Sequence, residues 1–226
     1  MPFFSSGMVR FPDGIKGIIF DCDGVLIDSK AANIYYYNLL LQELKRPPLT
    51  PEQECFAQMA TSREAIAQVL TPEEMACIPE LVRRLPYREI SLPLLEAEPG
   101  LINFLNWLRE RSMRMAVHTN RTGNPYTKRG GVWDVLDKLE IRSYFDQVVT
   151  IDIAEPKPSP EGALKILREW GCSGGECLFV GDSETDRDAS SSAGIPFAAY
   201  RNPALAADYH VDSFQSLQFA IEPYIK

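Results

Sequence analysis

From Gly100 onward the chain alternates helix-patterned and strand-patterned stretches. That alternation limits the possible folds more than any other feature. Residues 101–111 are amphipathic at helical spacing, and 113–118 form a short apolar run of strand length. Residues 132–139 read as a helix and 147–151 as a strand. Residues 160–170 read as a helix that Gly171 is placed to end, and 177–180 as a strand. A helix over 184–193 ends at Gly194, a strand follows over 196–200, and 213–221 is the last helix. Upstream, Lys16-Gly17-Ile18-Ile19-Phe20 reads as a buried strand that runs into the polar turn Asp21-Cys22-Asp23-Gly24. Strands joined through helices need right-handed crossovers. The expected architecture is therefore α/β, a Rossmann-like parallel sheet with helices on both faces.

Residues 29–98 interrupt this pattern. Apolar positions recur at helical spacing over 32–44, 52–59, 63–70 and 72–85, and prolines punctuate the stretch. No strand pattern is visible there, so the block reads as an inserted, small all-helical domain closed by Pro99-Gly100. A length of 226 residues suits one core plus one modest module. The expected division is a loosely ordered leader over 1–14, a core over 15–28 and 99–226, and the helical insert over 29–98.

Composition removes several classes of partner. The net charge is −8, which disfavours nucleic acid and anionic membrane surfaces. Apolar runs fall short of the roughly 18 residues a membrane span needs. The start, Met1-Pro2-Phe3-Phe4-Ser5-Ser6-Gly7, lacks the basic and apolar regions of a signal peptide. The five cysteines are scattered and odd in number, which fits reduced thiols in a cytoplasmic protein. An anionic substrate would need a local feature to reverse the acidic field.

Ligands of such sheets sit at the carboxyl ends of the strands. The first strand delivers Asp21 and Asp23, the second Thr119 and Asn120. The third precedes Glu155-Pro156-Lys157-Pro158, and the fourth delivers Gly181-Asp182-Ser183 with Asp186 beyond. Each has an ordinary reading: Asp-Gly as a turn, Thr119 as a helix cap, Lys157 as a solvated loop residue. Their order, each directly after a strand, favours a site. His118 reads as structural because it points to the opposite face from Thr119. His210 has no catalytic neighbour, and Tyr35-Tyr36-Tyr37 reads as packing.

The run Ile18-Ile19-Phe20-Asp21-Cys22-Asp23-Gly24-Val25-Leu26-Ile27-Asp28-Ser29 resembles the first motif of the haloacid dehalogenase-like hydrolases. Thr119, Lys157 and Gly181-Asp182-Ser183-Glu184-Thr185-Asp186 match its second, third and fourth motifs. The resemblance covers about residues 15–222. The helical insert resembles the small cap of phosphoglycolate phosphatases and β-phosphoglucomutases.

The resemblance implies a Mg²⁺-dependent phosphatase that hydrolyses a small phosphorylated metabolite through an aspartyl phosphate. Asp21 is the implied nucleophile and Asp23 the acid–base group. Thr119, Asn120 and Lys157 hold the phosphoryl group, Asp21, Asp182 and the main-chain carbonyl of Asp23 surround Mg²⁺, and Asp186 is either a further ligand or an acceptor behind them. Arg63, in Thr61-Ser62-Arg63-Glu64, is the candidate substrate contact from the cap; its ordinary reading is an exposed first-turn arginine. The protein is expected as a monomer or homodimer.

A β-phosphoglucomutase-like mutase is the competing enzyme reading. Two departures favour the phosphatase: Ser29-Lys30-Ala31-Ala32-Asn33 lacks the mutase histidine, and Gly181-Asp182 stands where mutases have Glu-Asp. A phospho-receiver module combines similar residues, but its phosphorylated Asp follows the third strand and no helical insert intervenes. The polar stretch 121–131 is expected to shape a pocket rim.

Overall fold

The structure, a computed structural model, describes Phe11 and residues 14–225, apart from the side chains of Gln58 and Met59. It divides into two compact units. One contains the described residues up to Ile27 and resumes at Ala97; the other is Asp28–Glu96.

In chain order, β1 is Gly17–Phe20, β2 Ile27–Asp28, α1 Lys30–Glu43, α2 Pro51–Met59, α3 Ser62–Ala67, α4 Pro72–Arg84, α5 Tyr87–Ile90 and β3 Glu96–Ala97. Then come α6 Leu101–Glu110, β4 Arg114–His118, α7 Val132–Lys138, β5 Gln147–Val149, α8 Glu161–Trp170 and β6 Cys177–Gly181. The chain closes with α9 Glu184–Ser192, β7 Phe197–Tyr200, β8 Tyr209–Val211 and α10 Phe214–Ile221.

Six strands form one sheet in the order β5-β4-β1-β6-β7-β8, with every neighbouring pair parallel. The chain builds outward from β1 through β4 to β5, then returns to build outward through β6 to β8. The order therefore reverses between β1 and β6, and ligand crevices of open α/β sheets lie at the carboxyl ends there.

Successive residues on a strand face opposite sides, so Ile19 and Phe20 serve different layers. Ile19 joins Ala116, Phe179 and Phe197 against the α8 residues Ala163, Ile166, Leu167 and Trp170. Those four recur at helical spacing and form one stripe. Phe20 meets the edge of Phe104 on α6, and Phe104 stacks on Phe214 of α10. Burying each such ring is worth about 1.5–3 kcal/mol. Helices thus cover both faces, and β1 is buried throughout because neither face meets water.

Phe11 falls within the segment 1–14 expected as a leader. It is buried, lies parallel to the ring of Tyr209 and meets the edge of Tyr224. The other leader residues, Gly14 excepted, fall outside the described part of the chain.

The unit Asp28–Glu96 is built from helices whose starts are written in the sequence. Thr50, Thr61 and Thr71 each cap a helix and close a reciprocal box with Gln53, Glu64 and Glu74. Pro51 and Pro72 occupy first helical positions, where the missing N–H costs nothing. Each cap contributes about 1 kcal/mol. Tyr36, Leu40, Leu41, Ile66 and Leu81 lie in this unit's own apolar core. Tyr36 Oη donates to the Leu85 carbonyl at 2.7 Å and Tyr37 Oη to Ser62 Oγ at 3.2 Å; Tyr35 is exposed. Residues 29–98 do contain strand structure, since Glu96–Ala97 pairs with β2. Two residues are too few to show a period.

Candidate active site

β1 ends by handing its ladder to Asp21, whose N–H donates to the Val180 carbonyl at 2.9 Å. Asp21 is buried, and its Oδ1 accepts from Lys157 Nζ at 2.6 Å. The same ammonium donates to Asp186 Oδ1 at 2.5 Å. The other oxygen of Asp186 accepts from Ser183 Oγ at 2.5 Å and from the Ser183 N–H at 3.1 Å. That is the capping box opening α9, with Ser183 Oγ accepting from the Asp186 N–H in return. Asp186 is thus placed by the start of its own helix, and both its oxygens are engaged.

One oxygen from each of Asp21, Asp182 and Asp186 lies within 4.8 Å of the other two. Two glycines make this approach possible. Gly24 has φ of 75°, and a Cβ there would stand 2.1 Å from Asp182 Oδ2. A Cβ on Gly181 would stand 2.4 Å from the Cβ of Asp186. Burial raises the Asp21 carboxyl, Lys157 opposes this, and the nearby Asp186 and Asp23 reinforce it; the outcome is about 7. Burial, then Asp186 and Asp21, push Asp182 well above the usual carboxylate range. Burial alone would lower the Lys157 ammonium, but Asp186 and Asp21 outweigh it and hold the charge firmly. Mutually repelling hard oxygen donors of this kind suit a divalent cation such as Mg²⁺.

Asp23 meets different surroundings. Its carboxylate takes a two-pronged bond from Arg121, with Nε at 2.7 Å and Nη2 at 2.6 Å. Arg121 also donates its N–H to Thr119 Oγ1 at 3.1 Å. Thr119 is buried beyond β4, where its own N–H donates to the Val149 carbonyl.

Asn120, a candidate substrate contact, spends its side chain within the protein. Its Oδ1 accepts from the Lys157 N–H at 2.8 Å and its Nδ2 donates to the Lys157 carbonyl at 3.1 Å. The amide thereby grips both main-chain groups of Lys157. Arg63 lies in the first turn of α3, in the other unit, and is exposed. His118 is buried edge-on to Phe179, and burial holds its ring well below the usual histidine range, hence neutral. His210 Nε2 lies 2.8 Å from the Leu205 carbonyl.

Two contributors escaped the motif reading. Arg121 belongs to the polar stretch 121–131, yet it follows Thr119 by two residues at a strand end. Asn202 follows β7 and donates from Nδ2 to the Asp182 carbonyl at 2.8 Å. Its signal was its place beyond the strand next to β6. The rim stretch itself is tied down, since the Gly123 N–H donates to Asp152 Oδ2 at 2.6 Å.

The sequence profile of the haloacid dehalogenase-like hydrolases matches residues 18–200. The chain belongs to the haloacid dehalogenase-like hydrolases. It is 27% identical over 212 residues to "Phosphoglycolate phosphatase 1" of Pseudomonas aeruginosa, covering 88% of this chain and 71% of that one. It is 29% identical over 185 residues to "Phosphoglycolate phosphatase" of Aquifex aeolicus, covering 81% and 84%. Among solved structures, a HAD-superfamily hydrolase, subfamily IA, variant 1, from Geobacter sulfurreducens superposes with a TM-score of 0.73 at 33% identity. That match covers 97% of this chain and 100% of the other. Among the described residues no helix is long and apolar enough to cross a membrane.

Proposed function

We propose that this hydrolase is a Mg²⁺-dependent phosphatase that cleaves a small-metabolite phosphomonoester, of the phosphoglycolate kind, through an aspartyl phosphate. The observation that carries this reading is the buried contact of Asp21 with Lys157 at 2.6 Å, beside the carboxylates of Asp182 and Asp186. Relatives named as phosphoglycolate phosphatases support the substrate class.

Asp21 attacks phosphorus in line with the ester oxygen and forms the acyl phosphate. Asp21, Asp182, Asp186 and the Asp23 main-chain carbonyl are the groups that would hold Mg²⁺, which would supply the positive charge that lets a carboxylate approach a phosphate dianion. Lys157, fixed by Asn120, opposes the burial that favours the protonated Asp21 carboxyl and offers a fixed cation to the phosphoryl oxygens. Thr119 Oγ1 accepts from the Arg121 N–H, which leaves its proton for a phosphoryl oxygen. Asp23 turns from Arg121, gains a proton from solvent and gives it to the leaving alkoxide, then takes a proton from the water that hydrolyses the acyl phosphate.

Phosphate release from an aryl phosphate, with Mg²⁺ and with excess chelator, tests the metal requirement; equal rates would refute it. Borohydride reduction of enzyme quenched during turnover should convert Asp21 to homoserine. Recovery of unmodified Asp21 alone would remove the covalent intermediate. A mutase would instead pass the phosphoryl group to a second hydroxyl of a sugar phosphate and release no inorganic phosphate.

A further inference from the structure

Cys172 and Cys177 bracket the turn between α8 and β6. Cys172 follows Gly171, the left-handed residue that ends α8, and Cys177 is the first residue of β6. The turn between them is Ser173-Gly174-Gly175-Glu176. It is fixed from within. Glu176 Oε2 accepts from the Ser173 N–H and from Ser173 Oγ, each at 2.8 Å, and the Glu176 N–H donates to the Ser173 carbonyl at 3.1 Å. It is also fixed from outside, because Lys16 pairs with the Glu176 carboxylate and donates its N–H to the Glu176 carbonyl. Within this frame the two sulfurs lie 3.3 Å apart.

A disulfide needs about 2.05 Å between sulfurs, an approach of roughly 1.2 Å, within reach of small side-chain rotations. The two thiols also differ in access. Cys172 is half-buried, while Cys177 is buried. Burial, then the neighbouring Cys172, push the Cys177 thiol above the ordinary cysteine range, so it stays protonated while the pair is reduced. Of the remaining cysteines, Cys22 is buried and Cys55 and Cys77 are exposed.

We propose that Cys172 and Cys177 form a dithiol site that a low-molecular-weight disulfide, such as oxidised glutathione, converts to an intramolecular disulfide. The Cys172 thiolate attacks one sulfur of the reagent; a Cys172–S–S–R bond forms, the reagent's S–S bond breaks and R–S⁻ leaves. That R–S⁻ takes the Cys177 proton, and the Cys177 thiolate attacks Cys172 Sγ and expels the second R–S⁻. Two protein thiols are oxidised and two small thiols are produced. The new bond closes the loop 172–177 at the start of β6. Asp182 lies just beyond the other end of that strand, some five residues or about 16 Å away. The site therefore acts on stability and not on the hydrolytic chemistry.

The test uses the full chain incubated with oxidised glutathione, alkylated and digested for mass spectrometry. The peptide holding both cysteines should be lighter by two hydrogens and unalkylated. The protein should melt about 2–6 °C higher, a shift that dithiothreitol reverses. Turnover of an aryl phosphate should not change. Cys172→Ser should lose the oxidant-dependent melting shift, and the double variant Cys55→Ser, Cys77→Ser should keep it. The proposal is overturned if Cys172 and Cys177 both remain alkylatable while Cys55 and Cys77 carry glutathione. It is equally overturned if a glutathione adduct on Cys172 persists without being displaced by Cys177.

Discussion

Asp21 and Asp23 leave the same strand two residues apart and meet opposite surroundings. Asp21 is buried and held by Lys157, whose side chain is 3% exposed. Asp23 is about a quarter exposed and held by Arg121. A lysine locked between two carboxylates and clamped by Asn120 has nowhere to go. The Arg121 pair is less enclosed than the Lys157 cluster, its side chains being 13% and 26% exposed, and so exchanges partners more readily. The first arrangement suits a nucleophile that must stay put, the second a group that must swing between partners. Replacing each aspartate by asparagine should expose that difference. Asp21→Asn should lower kcat by about 10⁴-fold or more, because no acyl phosphate forms. Asp23→Asn should lower it by about 10²–10⁴-fold, with the larger loss on esters of poor leaving groups that need a proton. Equal losses on good and poor leaving groups would argue against the acid–base role.

The buried side of the comparison also predicts stability. Lys157→Met leaves Asp21 and Asp186 facing each other without a cation, which should cost about 3–5 kcal/mol in denaturant unfolding. Added Mg²⁺ should recover more stability in this variant than in the wild type, since it would meet two uncompensated carboxylates. A variant as stable as the wild type without metal would mean that Lys157 contributes little to holding the cluster. A smaller effect concerns protons. The Asp21 carboxyl is raised to about 7, so below that pH a proton competes with the cation for it. Cation affinity of the protein, measured by calorimetry, should fall by up to about tenfold for each pH unit below 7 and level off above it. Affinity that does not vary between pH 5 and 8 would show that Asp21 ionises at its ordinary value in the folded state.

The sheet is readable because its strands β1, β6 and β7 are buried throughout and its helices carry stripes at regular spacing. Ile18-Ile19-Phe20 and the stripe Ala163, Ile166, Leu167, Trp170 each state their role within a few residues. The starts of α2, α3 and α4 were equally local, since a Thr and a Gln or Glu three residues on specify the box between them. The β2–β3 pairing was not readable, because two-residue strands have no period and their partners lie far apart in sequence. At the site, Asp21, Asp182 and Lys157 were legible from their order after successive strands. Their coupling through Asp186 was not, because it depends on which oxygen the Ser183 box turns toward Lys157. Arg121 and Asn202 were missed for a related reason. Arginine and asparagine are common in loops, and only the sheet order, which sets β4 beside β1 and β7 beside β6, brings them to Asp23 and Asp182.

The least of the expected effects lies at Arg121, and it separates two accounts of the pair. If Arg121 serves only to hold Asp23 aside between turnovers, Arg121→Ala should leave kcat within about tenfold of the wild type and cost about 1–3 kcal/mol of stability, because it leaves a mostly buried carboxylate without that partner. Arg121→Lys should lie closer to the wild type in stability, although a lysine cannot reproduce the two-pronged geometry. If Arg121 also meets the leaving group once Asp23 has turned away, KM for a substrate with a second anionic group should rise in Arg121→Ala while KM for a neutral aryl ester does not. The KM comparison across those two substrates decides between the accounts even if both variants keep most of their turnover. A fall in kcat as large as that of Asp23→Asn would place Arg121 in the proton transfer itself and would end the contrast between a fixed and a movable aspartate.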